Sequence, residues 1–147
     1  MGTAVHRLSE KVALVVDDNE LVRHMTARIL KSAGIRSLEA HDGTHALALL
    51  TELGPAVVGL AVSDVAMRIT GENLAAIIAE RWPTVPVLLI SGQGDPGTNC
   101  FFLPKPFQPD TLIAVVLRSH RHSQGPAEPS SECAVANAAL IASAPAA

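Results

Sequence analysis

Asp17, Asp18, Asp64, Ser91 and Lys105 share a placement: each ends or follows a short apolar run. Three of them are acids. Grouped carboxylates raise one another's pKa and are unfavourable without compensation. A hard divalent cation or a lysine relieves the repulsion. Magnesium takes oxygen ligands and keeps several waters, so two or three carboxylates suit it. Ser91 adds a hydroxyl and Lys105 an ammonium. Such a set can neutralise the equatorial oxygens of a phosphoryl group in transfer. One acid would then be the nucleophile of an aspartyl phosphate. Taken singly, each residue also has a plainer role. Asp17 and Asp18 suit a strand-to-helix turn with an N-cap. Asp64 suits a loop, Ser91–Gly92 a turn and Lys105 a solvated surface. Their joint order is what argues for a site.

Bringing these residues together requires a scaffold, and the hydrophobic pattern supplies one. Continuous apolar runs at Val12–Val16, Val57–Val62 and Val85–Ile90 suit strands buried on both faces. Ile35–Ala40 is a weaker strand and Phe101–Leu103 a short fifth one. Helical spacing alternates with them. Leu21, Val22, Met25, Ile29 and Leu30 predict one inward face, ended at Ala33–Gly34. Ala46, Leu47, Leu50 and Leu53 predict a second, stopped by Gly54–Pro55. The third helix runs from Gly71 to Trp82, with Leu74, Ile77 and Ile78 inward. Gly71 opens it without a chemical role. The last helix spans Pro109–His120, with Leu112, Ile113, Val116 and Leu117 facing the core. Alternating strands and helices imply βαβ units. The expected fold is α/β, a flavodoxin-like, doubly wound sheet of five parallel strands in the order 2-1-3-4-5. Ligands bind such sheets at the carboxyl ends of the strands. That is where Asp17, Asp18, Asp64 and Ser91 fall.

The 147 residues make about one domain. Net charge is −3, which argues against direct nucleic-acid binding. No apolar run approaches the roughly 20 residues needed to cross a membrane. The opening MGTAVHRLSEK lacks the apolar stretch of a secretory signal, so the cytoplasm is expected. Cys100 and Cys133 are too few and too far apart for a disulfide framework or a zinc site. His24, His41, His45, His120 and His122 form no ligand set, and Trp82 reads as packing. The expected division is a lead over 1–10, one domain over 11–120 and a polar, then Ala-rich, disordered tail over 121–147.

The segments VVDDNELVR (15–23), SDVAM (63–67), LLISG (88–92) and FFLPKPF (101–107) occur in that order, each on an apolar run. Together they resemble the receiver domain of two-component response regulators, over about Lys11 to His120. The resemblance implies that Asp64 accepts a phosphoryl group from a phosphohistidine. Asp18 would be a direct Mg²⁺ ligand, Asp17 its partner through water, and the backbone carbonyl of Ala66 a further ligand. Ser91 would hydrogen-bond the phosphoryl group and Lys105 pair with another of its oxygens. Phe102 would be the rotating aromatic switch, although on its own it reads as core. The Lys105–Pro106 bond would be cis.

Two departures stand out. Arg68 replaces the usual proline of the loop after Asp64, and Gly71 arrives one residue early. Lys105 follows Ser91 by only 14 positions, about two helical turns too few for the usual fourth helix. The intervening GQGDPGTNC disfavours a helix, so the fourth helix is expected to be shortened or absent. The expected function is that of a single-domain response regulator. Its partners would be a sensor histidine kinase or histidine phosphotransfer protein and a downstream protein, with a homodimer open to it. It would also promote slow hydrolysis of its own acyl phosphate. A phosphorylation-independent interaction module is the alternative. A phosphohydrolase would need an acid for leaving-group protonation, which Ala66 does not offer.

Overall fold

The computed structural model describes residues 10–94, 97 and 100–123. The continuous apolar runs become β1 (Val12–Val16), β3 (Val58–Asp64) and β4 (Val87–Ser91), with β2 (Ser37–Ala40) and β5 (Phe101–Pro104) completing the sheet. All pairings are parallel and the order is β2-β1-β3-β4-β5, as expected. Between the strands run α1 (Glu20–Ser32), α2 (Gly43–Leu53) and α3 (Gly71–Arg81), and α4 (Pro109–Ser123) closes the chain order.

Successive strand residues point to opposite faces, so β1 divides its side chains between two cores. Ala13 and Val15 join Leu30, Ile35, Leu112 and Val116 on the face covered by α1 and α4. Leu14 and Val16 join Leu50, Leu74 and Ile78 on the face covered by α2 and α3. Burial on both faces explains why these strands carry unbroken apolar runs.

Some local expectations need correction. Leu21 is 81% exposed and Met25 52% exposed, so neither faces the core. Val22, Ile29 and Leu30 do lie inward, and Thr26, one residue later, takes the place expected of Met25. One residue is about 100° of helix rotation. A polar side chain can occupy that stripe because the Thr26 hydroxyl donates to the carbonyl of Val22 at 2.9 Å. Ile35 is buried but precedes β2, which begins at Ser37. Val57 and Val85 likewise precede β3 and β4. α3 ends at Arg81, with Trp82 as its cap and the Arg81 guanidinium 4.5 Å from the indole ring. α4 runs to Ser123, three residues past its expected end. His120 lies within α4. It is buried, with Nδ1 3.4 Å from the carbonyl oxygen of Gly59.

Among the described residues no helix lies between β4 and β5. Gly94 and Gly97 have φ of +92° and +75°, a left-handed backbone that glycine adopts without steric cost. Two such residues within four positions are incompatible with an α-helix there. Cys100 packs against the α2–α3 core beside β5. The expected lead, most of the expected tail, Cys133 and the His122 side chain lie outside the described residues. Among those described, no helix is long and apolar enough to cross a membrane.

Candidate functional site

The carboxyl ends of β1 and β3 build the site. Asp17 and Asp18 follow the last residue of β1, and Asp64 is the last residue of β3. Neither Asp17 nor Asp18 caps α1. Asn19 does, its side-chain oxygen accepting from the Val22 N–H at 3.1 Å. The acids are therefore released from the plainer role that the sequence also allowed. Asp17 is buried and its Oδ1 accepts from the Asn19 N–H at 2.9 Å, while Asp18 is exposed. One carboxylate oxygen from each of Asp17, Asp18 and Asp64 falls within 4.8 Å of the others.

Lys105 reaches this cluster from the far side of the sheet. Its Nζ donates to Asp64 Oδ1 at 2.9 Å. Its backbone N–H donates to the Ser91 carbonyl at 2.8 Å, which continues the β4–β5 ladder one residue past the strand. The Lys105–Pro106 peptide is cis, as the resemblance implied. Ser91 is buried at the end of β4, and its Oγ accepts from the Gln93 N–H at 3.1 Å. Ala66 and Arg68 are exposed in the turn after Asp64. Phe102 is buried on β5, in register with Leu89.

Electrostatics follow from this crowding. Burial raises the Asp17 carboxyl above its ordinary pKa, and the charges of Asp64 and Asp18 raise it further. The Asn19 N–H and the Lys105 ammonium oppose the shift without cancelling it. Three carboxylates that one lysine neutralises only in part are a donor set of the kind that Mg²⁺ takes. The residues present fit that ion.

Three supporting residues escaped the sequence reading. Gly71 opens α3 as expected, but it also lies against the backbone of Asp64. A Cβ there would stand 2.5 Å from the Asp64 carbonyl oxygen and 2.9 Å from Val65 Cα. Its early arrival in the sequence was the available signal. Arg23 and Glu39 are the others. Arg23 Nη1 donates to the Asp17 carbonyl at 3.0 Å, and its Nε donates to Glu39 Oε1 at 3.0 Å. Nothing in the spacing of residues 23 and 39 pairs them; the packing of α1 against β2 does. His24 Nδ1 lies 2.6 Å from the same Glu39 oxygen.

The family model of the response regulator receiver domain matches residues 13–117. The chain belongs to that family. It is 32% identical over 114 residues to the nitrogen assimilation regulatory protein NtrX of Azorhizobium caulinodans, covering 72% of this chain and 25% of that protein. The receiver domain of NtrX from Brucella abortus is 32% identical, with a TM-score of 0.65 over 74% of this chain and 98% of that one. The chemotaxis protein CheY4 of Vibrio cholerae is 27% identical, with a TM-score of 0.66 over 74% and 98%. The chain spans about a quarter of the length of the curated relatives it matches.

Proposed function

We propose that Asp64 accepts a phosphoryl group from a phosphohistidine on a sensor histidine kinase or phosphotransfer protein. A carboxylate oxygen of Asp64 attacks phosphorus, and the new O–P bond forms as the N–P bond breaks, its electron pair passing to the imidazole nitrogen. Asp17, Asp18, Asp64 and the Ala66 carbonyl would hold Mg²⁺, which supplies charge neutralisation at the phosphoryl oxygens. Lys105, already on Asp64, would pair with one phosphoryl oxygen and the Ser91 hydroxyl would donate to another. Water attack on the same phosphorus would release phosphate and restore Asp64. Phe102 would report the phosphorylated state, and the output would be protein–protein contact in the cytoplasm. Residues 11–120, continued by the end of α4, would be the folded unit that does this.

The observation that carries the reading is the 2.9 Å contact of Lys105 with Asp64 inside a cluster of three carboxylates. The short β4–β5 connection favours one rival, an interaction module whose switching has been lost. Incubation with Mg²⁺ and acetyl phosphate separates the two by intact mass. One added phosphoryl group, labile in alkali and absent from Asp64→Asn, is expected. No adduct from acetyl phosphate or from a panel of phosphorylated kinases would leave the interaction module.

A further inference from the structure

We infer that Arg23 is a positioning residue for the metal-binding turn, and this rests on the reading of Asp17 and Asp18 as metal ligands. The turn between β1 and α1 carries both acids, yet its only side-chain anchors within itself are the Asn19 cap and the Asp17–Asn19 bond. Arg23 supplies an anchor from outside. Its side chain is 13% exposed, and its guanidinium spans two acceptors at once, the Asp17 carbonyl and Glu39 Oε1, both at 3.0 Å. Glu39 belongs to β2, which pairs with β1 with Val15 opposite Glu39 and Val16 opposite Ala40. The Asp17 N–H continues that ladder to the Ala40 carbonyl at 3.2 Å. Arg23 therefore ties the backbone of the first acid to the neighbouring strand, while Asp17 keeps its carboxylate toward Asp18 and Asp64. A planar fork can hold both acceptors in one geometry; an ammonium cannot reproduce it.

Charge and position make opposite demands here, which makes the role testable. Arg23 is a cation near an anionic site. If it acted only through charge, removing it would tighten cation binding. If it positions the turn, removing it weakens binding, and loss of such outer partners typically costs about 10–100-fold in metal affinity. The test is titration of the full chain with Mn²⁺, the free ion followed by electron paramagnetic resonance, with Mg²⁺ as competitor. Arg23→Ala and Arg23→Lys are both expected to bind about tenfold more weakly, Lys failing to rescue although it keeps the charge. Glu39→Gln, which keeps an acceptor for Nε, should lie between these variants and the unaltered chain. Circular dichroism melts confirm that each variant is folded at the titration temperature, and Arg23→Lys and Glu39→Gln carry the test if Arg23→Ala does not fold. Unchanged or tighter binding by folded Arg23 variants would overturn the positioning role. Failure of the unaltered chain to bind Mn²⁺ would instead overturn the metal reading on which it rests.

Discussion

Glu39 gathers two cationic side chains onto one oxygen, and His24 shows the effect. The hydrogen bond that Glu39 accepts raises the pKa of this exposed imidazole above its ordinary 6.5, with Glu20 adding to it. The imidazolium's pairing is fully present below pH 6.5 and is lost as pH rises through the raised value. NMR titration should find the His24 midpoint above 6.5, and Glu39→Gln should bring it down toward that value. An unshifted midpoint in the unaltered chain would contradict the 2.6 Å geometry. Residues of this kind were hidden from the sequence. Asp17, Asp18, Asp64 and Lys105 were visible because each ends or follows a strand, and strands of this type were recognisable from their apolar runs. Arg23 on α1 meets Glu39 on β2, and single-chain spacing carries no record of how that helix packs on that strand.

Among the elements, α3 is fitted most tightly to the chemistry. Its first residue is Gly71, and its cap is Thr70, whose side chain accepts from the Asn73 N–H at 3.2 Å. The close approach of Gly71 to the Asp64 carbonyl leaves no room for a methyl group. Gly71→Ala should cost about 1–3 kcal/mol, the usual range for overpacking. It should also slow phosphoryl uptake, because backbone is what must yield. Chemical denaturation checks the first effect and the acetyl phosphate reaction the second. A stable, fully reactive variant would show that the turn after Asp64 relaxes freely. The β4–β5 connection was legible in advance for a different reason. Its glycines and short length forbid a helix whatever the tertiary context. On α1, Leu21 and Met25 were misplaced because they match a helical stripe with Val22 and Ile29 as well as Thr26 does, and only packing against α4 and the sheet separates them.

For the whole molecule, the acid cluster leads to two predictions, one for pH and one for divalent ions. The Asp17 pKa is raised in the folded state, so the metal-free fold holds this proton more tightly than the unfolded chain. Its contribution to stability is fully present at low pH and falls as pH rises from the ordinary 3.8 through the raised value. Asp17→Asn should therefore raise the Tm of the metal-free protein at pH 7 by roughly 4 °C, the shift that about 1 kcal/mol produces in a domain of this size. It should also abolish most of the further rise that Mg²⁺ gives the unaltered chain. Melting curves with and without EDTA test both, and a lower Tm for the metal-free variant would refute the electrostatic account. The alternation of strands and helices followed from periodicity, and handedness left few sheet orders, the observed one among them. The lengths of α4 and β2 did not, because element ends depend on contacts such as that between His120 and Gly59.

The central position of β3 has a kinetic meaning as well. All seven of its residues are buried, and it is flanked by β1 and β4. Its amide protons can reach solvent only when neighbouring strands part, so they belong to the slowest-exchanging unit of the protein. Asp64 is fastened to that unit, whereas Asp18 sits on an exposed turn at the start of a helix. The site thus joins the part of the chain that opens last to a part that can fray on its own.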